Sequence, residues 1–351
     1  MKNFERKRLD NVDFIRAICA CGIVLFHYSI HSNIDYAILV RFANGSYGDL
    51  FVTVFFILSG AMLYFNNDKK VSKRLFFWKR FKSIFPMFYL VFFLAFFYKL
   101  VFYKTIYYNG LVQLWTIILT VFGVDGYFLY IVPNFYILGE WFLGAIIILY
   151  LIYPFLLWVI KNKFTMFVLL ISVFFIPIMF NDFFKIDEFR NLFSCIFSFV
   201  VGIFFIQNKR LLDNKGFFLS ALLMFSALLF TPIHINSYYT VHLSGGLLFI
   251  ILWNVGKIVV QNDNIRICIH YLSKWSYAIF LLHHVIIGAM LSIIRPISIW
   301  EYYIEFICIF AEIIILSALI YRMNKIILKS NCIISLDDYM NKKYNIDEER
   351  L

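Results

Sequence analysis

The sequence predicts an all-α integral membrane protein with about ten transmembrane helices and both chain termini in the cytoplasm. Of its 351 residues, 62% are hydrophobic and only 15% are charged, whereas a typical soluble domain carries about 25% charged residues. So few polar residues cannot cover a soluble core of this size. The basic residues fall in short segments between apolar runs, as the positive-inside rule requires. These observations exclude a soluble enzyme, a disordered chain and a fibrous repeat.

The net charge of +11 does not indicate a nucleic-acid partner, because the basic residues form no stripe interleaved with aromatic side chains. No pattern of metal ligands is complete either. His27 and His31 have the i, i+4 spacing of a ligand pair, but the sequence names no third ligand. We therefore expect no metal, no bound cofactor and no nucleic acid, and a lipid bilayer as the surroundings.

The candidate transmembrane helices are runs of mostly apolar residues, of which a crossing needs about 20. They lie at 12–30, 49–65, 84–103, 111–124, 137–160, 164–180, 191–207, 216–233, 243–261, 275–294 and 302–328. The run 111–124 is the shortest, and the segment 125–136 after it contains no Lys or Arg.

The charges of the loops decide the topology. The N-terminal segment 1–8 and the segment 69–82 are strongly basic, and Lys161 and Lys163 follow the run 137–160. All three segments should face the cytoplasm, which requires that 104–136 stays outside as a whole and that 111–124 is re-entrant or interfacial. Ten spans remain, in a transmembrane domain 1–330 followed by a short cytoplasmic tail 331–351. We expect a multi-pass protein of a bacterial plasma membrane.

The first span carries four ionisable side chains, Asp13, Arg16, His27 and His31. Such groups are costly inside a membrane, about 2.5–3.5 kcal/mol for Arg or Asp, and mark candidate functional sites. At about 100° per residue, Arg16 and His27 differ by only about 20° around the helix, and the other two lie within about 60° of Arg16. One stripe of the helix is thus polar at both depths, which predicts a cavity along it. The alternative is an anchor helix with a snorkelling Arg and an interfacial His.

The spacing of Arg16 and His27, R-x10-H, resembles the first-span signature of the acyltransferase-3 family of membrane-bound O-acyltransferases. Four later stretches resemble family motifs in the same order: VTVFFILSG (Val52 to Gly60), KRFKSIFPMFY (Lys79 to Tyr89), WFLGAIIILYLIYP (Trp141 to Pro154) and SYAIFLLH (Ser276 to His283). The resemblance covers nearly the whole chain, and ten spans is the number expected for this family.

The chain departs from the family pattern at two positions. Ser83, beside Lys82, stands where the basic motif has its second Arg, and Ile146 stands where members often carry a Glu. The first departure concerns the contact with the donor's phosphates. The second indicates a subgroup whose acceptor site differs and which includes proteins described as polysaccharide exporters.

The resemblance implies transfer of an acyl group, expected to be acetyl, from acyl-CoA to a hydroxyl of a cell-envelope or extracellular polysaccharide or a lipid-linked sugar. Acetyl-CoA is then a co-substrate, and other polysaccharide-biosynthesis proteins are further partners. A sugar hydroxyl needs a base, for which His27 is the candidate. Asp35 can orient its imidazole, although it also fits a solvated loop charge. His31 is more consistent with an interfacial position.

The donor's phosphates call for cations on the cytoplasmic side. Arg16, Arg80, Lys82 and Lys79 fit that role, although the basic residues of this segment also serve positive-inside topology. The candidates for lining the acceptor cavity are His283 and Trp141. Neighbouring helical residues point about 100° apart, so we expect only one of His283 and His284 to face the interior.

Two of these assignments have structural alternatives. His283 also fits a buried histidine bonded to a neighbouring helix, and Trp141 fits an aromatic belt. The rival function is a transporter that exports or flips a lipid-linked polysaccharide. It would not depend on acyl-CoA and would tolerate His27→Gln.

Overall fold

The computed structural model describes residues 9–32, 40–66, 72–104, 112–138 and 141–344. In chain order, the helices are α1 (Asp10–His31), α2 (Tyr47–Asn66), α3 (Lys73–Tyr103), α4 (Ile117–Val121), α5 (Asp125–Phe128), α6 (Trp141–Val159), α7 (Lys163–Met179), α8 (Leu192–Gln207), α9 (Lys209–Leu212), α10 (Lys215–Phe230), α11 (Ser237–Val259), α12 (Asp263–Ile293), α13 (Ile299–Leu328) and α14 (Asn331–Tyr344). The predicted all-α membrane architecture is confirmed. A hairpin of two short strands, β1 (Arg41–Phe42) and β2 (Gly45–Ser46), precedes α2, with Arg41 opposite Ser46.

Within the described residues, seven helices are long and apolar enough to cross a membrane: α1, α2, α3, α6, α11, α12 and α13. The apolar helices α7, α8 and α10 are shorter and occupy the other three predicted positions. The number of ten spans and the cytoplasmic location of the termini stay predictions. Helix α3 begins at Lys73, so the basic stretch before the predicted run 84–103 is the first part of the same helix.

The run 111–124 forms no long helix over its described residues. It contains a 3-10 turn, Leu114–Thr116, and the five-residue helix α4. Five residues in a helix extend about 7.5 Å, far short of a hydrocarbon core of about 30 Å. This geometry agrees with the expectation that the run is not a full crossing.

The tail predicted at 331–351 is helical from Asn331 to Tyr344 and packs against α3. The Trp78 indole donates a hydrogen bond to the Asp337 carboxylate over 2.9 Å, and the Lys82 ammonium forms an ion pair with the same carboxylate. Burial by itself raises the pKa of Asp337, but the hydrogen bonds from Lys82 and Trp78 outweigh it and hold that pKa below its ordinary value. The carboxylate is therefore charged at neutral pH.

Helix α1 lies at the centre of the functional region and contacts α2, α11, α12 and α13. Helix α2 in turn approaches α8 closely at two glycines. A Cβ atom on Gly60 would lie 1.9 Å from the Phe199 carbonyl oxygen, and one on Gly202 would lie 1.9 Å from the Ile57 carbonyl oxygen. Small residues permit such close packing of helices in membranes. The contact fixes α2, and α2 forms one wall beside the polar stripe of α1.

Candidate active site at two cavities along the first helix

The polar stripe of α1 faces α12 along its whole length. Near the start of the stripe, the Arg16 guanidinium donates to the Asp13 carboxylate over 3.3 Å and to the Ser273 hydroxyl over 3.0 Å. The Ser273 hydroxyl donates to Asp13 over 2.7 Å. Asp13 and Ser273 therefore hold the Arg16 guanidinium at the interface between α1 and α12.

A cluster of histidines lies at the other end of the stripe. The ring centroid of His27 is 4.1 Å from that of His284, 5.1 Å from His283 and 6.3 Å from His31. The expectation that only one of His283 and His284 faces the interior is wrong. The rings of His283 and His284 lie 4.5 Å apart between centroids, and the ring of His27 contacts both.

The orientation of the His283 ring follows from its backbone contacts. His283 is fully buried, and its Nδ1 lies 2.8 Å from the Phe280 carbonyl oxygen and 3.2 Å from that of Ile279. A carbonyl oxygen accepts only, so Nδ1 carries the proton and donates it. The lone pair of the neutral ring is therefore on Nε2.

The histidine cluster also contains a possible metal-ligand set. One ligand nitrogen from each of His27, His283 and His284 lies within 4.8 Å of the other two. The expectation of no metal site rested on the missing third ligand for the pair His27 and His31. The fold brings the imidazoles of His283 and His284 next to His27, although α12 is more than 250 residues away along the chain. These two side chains supply the ligands that were missing from the sequence pattern.

Arg16 lines a cavity of about 350 Å³ together with Arg80 and Ile146, which we call the arginine cavity. The Arg80 guanidinium lies over the ring of Tyr150, 5.6 Å from its centroid, and over Phe76 at 5.9 Å. The Nε atom of Arg80 is buried without a hydrogen-bond partner among the described residues. Ile146, where the family often carries a Glu, thus lies on the side of the predicted donor site and does not line the cavity that contains His27.

His27 lines a second cavity of about 250 Å³, which we call the histidine cavity. Trp141 lines it as well. The cavity also contains three charged side chains that the sequence did not single out, Asp49, Arg41 and Arg190. It therefore combines an imidazole, an indole, a carboxylate and two guanidinium groups.

Arg190 is held in the wall of the histidine cavity by its neighbours. Its guanidinium lies 5.4 Å from the ring centroid of Tyr130 and 5.7 Å from that of Trp141, and it forms an ion pair with Asp187. Burial by itself lowers the pKa of Arg190, but the negative charge of Asp187 leads the interactions that raise it above its ordinary value. Arg190 is therefore a permanent positive charge next to the predicted acceptor-lining Trp141.

The two cavities share no lining residue among the described side chains. The sequence predicted one cavity along the stripe, and the structure differs because aromatic side chains fill the space between the ends. Phe142 and Phe280, which line the arginine cavity, lie 5.4 Å apart between ring centroids, and Phe280 is 6.2 Å from His283. These rings separate Arg16 from the histidine cluster.

The four cations predicted to bind the donor do not meet in one cavity. Lys79 and Lys82 line a separate cavity of about 360 Å³ beside α14, together with Asp337 and Asp338. Ser83 lines both this cavity and the arginine cavity. The two lysines are therefore neighbours of the arginine cavity, and Lys82 is paired with a carboxylate.

Asp35, the predicted partner of His27, lies outside the described residues. Sequence reasoning did not single out His284, Asp49 or Arg190 as site residues. The duplicated His283–His284 pair was a visible signal for His284. Asp49 stands at the start of an apolar run and Arg190 just before another. Neither position indicates by itself that the two side chains reach the same cavity.

The comparisons with known proteins support the family resemblance. A sequence model of the acyltransferase-3 family, described as an acyltransferase domain, matches residues 9–322. No curated protein and no solved structure matches the chain. The matched region contains the whole stripe of α1, both cavities and the histidine cluster. The chain therefore belongs to the acyltransferase-3 family and is a multi-pass membrane acyltransferase.

Proposed function

We propose that this protein transfers an acetyl group from acetyl-CoA to a hydroxyl of a cell-envelope or extracellular polysaccharide, or of its lipid-linked precursor, at a bacterial plasma membrane. The observation that carries the proposal is the placement of Arg16 and His27. They lie on one stripe of α1, about 16–17 Å apart along the axis, and each lines its own cavity. One cavity suits an anionic donor, and the other suits a polar acceptor.

The arginine cavity is the proposed donor site. CoA carries several phosphate charges, and a guanidinium binds phosphate through paired hydrogen bonds. Arg80 offers a buried Nε atom, and Arg16 lines the same cavity. Lys79 and Lys82 line the neighbouring cavity and are the further proposed donor-binding cations, although Lys82 is paired with Asp337. The basic segments around this end of the protein favour the cytoplasmic side, where acyl-CoA is found.

The histidine cavity is the proposed acceptor site. Trp141 offers an apolar face for a sugar ring, while Asp49 and Arg190 offer hydrogen bonds to hydroxyls. Buried polar groups of this kind discriminate between substrates, because a ligand that lacks the matching group leaves them unpaired. His27 lies in the same cavity as the general base.

In the proposed reaction, a neutral ring nitrogen of His27 takes the proton of the acceptor hydroxyl as its oxygen attacks the thioester carbonyl carbon. The new C–O bond forms, the C–S bond breaks, and the CoA thiolate recovers the proton from His27. The pantetheine arm of CoA would bring the thioester past Phe142 and Phe280. Asp35 remains the proposed orienting carboxylate, and other polysaccharide-biosynthesis proteins remain proposed partners.

The test is acetyl transfer by the purified full-length protein in lipid nanodiscs, with radiolabelled acetyl-CoA. We expect transfer, or slow hydrolysis without an acceptor, from the wild type and from the control His234→Ala, because His234 lies in an exposed loop. His27→Ala should be at least about 100-fold slower, the lower range for loss of a general base. Equal rates for His27→Ala would refute the catalytic assignment. Folded wild type that neither binds nor turns over acetyl-CoA would support the exporter.

A further inference from the structure

We propose that His27, His283 and His284 form a binding site for one divalent transition-metal ion of the zinc class. We infer further that the bound ion blocks acyl transfer by occupying the ring nitrogen of His27. The metal site stands on geometry alone, whereas the inhibition rests on the proposed function of His27 as the base. This proposal replaces the expectation of no metal that the sequence alone supported.

The spacing of the ligand atoms is the first argument. The three nitrogens lie within 4.8 Å of one another. Zn–N bonds of about 2.0–2.1 Å in a tetrahedral site separate the ligand nitrogens by about 3.3–3.4 Å. The ring centroids lie 4.1, 4.5 and 5.1 Å apart, against about 5.2 Å between imidazole rings that share one tetrahedral ion. The rings must therefore rotate, and the closest pair must separate by about 1 Å, to bring three lone pairs onto one ion.

The chemistry of the donor set is the second argument. Three neutral imidazoles suit zinc, copper or nickel and are poor ligands for magnesium or calcium. His283 donates its Nδ1 proton to backbone carbonyls of Phe280 and Ile279. That hydrogen bond is the usual support of a metal-binding histidine, because it fixes the tautomer and places the lone pair of the ring on Nε2.

Access and charge are consistent with an ion at this position. His283 is fully buried, whereas His27 also lines the histidine cavity, so an ion can enter from that side. Asp49 lines the same cavity and supplies a negative charge. Three protein ligands leave the fourth tetrahedral position open, as in metal sites that exchange a water or an anion. The His31 ring is farther away, 6.3 Å from His27 and 5.7 Å from His284, and is not needed.

Inhibition follows from the shared lone pair. The ring nitrogen of His27 that takes up a proton from the acceptor hydroxyl cannot do so while it is coordinated to a metal ion. The ion and the reaction therefore compete for the same atom. The metal-free protein would be the active form.

The binding test uses the full-length protein in nanodiscs without a polyhistidine tag, with Co²⁺ as a spectroscopic probe and Zn²⁺ as competitor. We expect visible absorption bands that saturate at one Co²⁺ per chain and disappear on addition of Zn²⁺. His284→Gln and His27→Gln should each weaken binding more than about 10-fold. The controls His31→Gln and His234→Gln should bind as the wild type does. Thermal melting of each variant confirms that it is folded.

The activity arm separates the two parts of the proposal. We expect Zn²⁺ to abolish acetyl transfer in proportion to site occupancy, and a chelator to restore it. No saturable binding, or binding unchanged in folded His284→Gln and His27→Gln, would overturn the metal site whatever the activity. If Zn²⁺ binds saturably at this site and increases acetyl transfer, the metal site is supported, and the role of metal-free His27 as the base is refuted.

Discussion

The imidazole ring of His284 lies closer to His27 than that of His283 does, 4.1 Å against 5.1 Å between ring centroids. His283 belongs to the stretch that resembles a family motif, but it is fully buried, and its ring is hydrogen-bonded to the backbone of its own helix. His27 contacts both of these rings of α12 and, on the proposed mechanism, must reach the thioester from there. The aromatic side chains beside this cluster therefore become candidates for controlling which acyl groups arrive.

We expect Phe142→Ala to relax selectivity for the acyl group. Phe142 lines the arginine cavity and packs edge-on against Phe280 at 5.4 Å, and Phe280 in turn lies 6.2 Å from His283. One methylene in an apolar pocket changes selectivity by roughly 10- to 200-fold. The ratio of kcat/KM for butyryl-CoA to that for acetyl-CoA should therefore rise about 10-fold or more. Phe142→Leu, which keeps most of the volume, should change it less. An unchanged ratio in folded Phe142→Ala would show that this ring does not limit the acyl group.

Ile146→Glu should weaken binding of the donor. Ile146 is buried in the wall of the arginine cavity with Arg16 and Arg80. A carboxylate there would pair with the guanidinium groups and repel the phosphates of CoA. We expect KM for acetyl-CoA to rise about 10-fold, equivalent to about 1.4 kcal/mol, with kcat at saturation within about twofold. Ile146→Gln has nearly the same shape without the charge and is the control. Equal KM values for the Glu and Gln variants would exclude the charge effect.

Arg80→Ala should raise KM for acetyl-CoA more than Lys82→Ala does. Arg80 lines the arginine cavity, whereas Lys82 lines the neighbouring one and is paired with Asp337. We expect a rise of at least about 10-fold for Arg80→Ala, typical of a charge-assisted phosphate contact, and less than about threefold for Lys82→Ala. Asp337→Asn breaks the same contact with α14 but keeps the Lys82 charge, and so controls for loosening of the tail helix. A larger rise for Lys82→Ala would move the donor site to the lysine side.

The sequence predicts features that lie within a single helix, such as the polar stripe of α1. It does not predict features that depend on how the helices pack against one another. The stripe of Asp13, Arg16 and His27 follows from helical periodicity alone, and the ends of most spans follow from apolar length. The meeting of Asp49 and Arg190 at one cavity depends on the packing of α2 and of the segment before α8 around α1. The separation of the two cavities depends on how the rings of Phe142 and Phe280 fill space. The periodicity of a sequence does not show how helices pack or which side chains fill the space between them.

The close approach of α2 and α8 predicts a strong effect of a single methyl group. Gly60→Ala would place its Cβ 1.9 Å from the Phe199 carbonyl oxygen, so the helices must move apart. Overpacking costs about 1–3 kcal/mol, and backbone contacts yield less readily than side chains do. We expect a clearly lower melting temperature in detergent. Gly246→Ala, whose Cβ meets nothing within 4 Å, is the control and should keep or slightly raise stability. Similar melting of both variants would contradict the packing argument.

Asp125 should make the stability of the protein fall between pH 5 and pH 7.5. Burial raises the pKa of Asp125 to about 6, although the Thr120 hydroxyl and the Gly126 N–H donate hydrogen bonds that lower it. In the unfolded chain the pKa of an Asp is about 3.9. Between these two values the folded state binds more protons, so stability decreases as pH rises towards 6 and then levels off. A difference of about two units corresponds to about 3 kcal/mol in total, of which about 1.4 kcal/mol is lost between pH 5 and pH 7.5.

Asp125→Asn removes this titration and tests it directly. We expect the wild type to melt at a lower temperature at pH 7.5 than at pH 5, and the difference to be smaller in Asp125→Asn. Asp182→Asn alters an exposed carboxylate and should leave the difference as in the wild type. Comparing the variants at both pH values cancels the contribution of other titrating groups. An equal drop in melting temperature between pH 5 and pH 7.5 in the wild type and in Asp125→Asn would show that another titrating group is responsible.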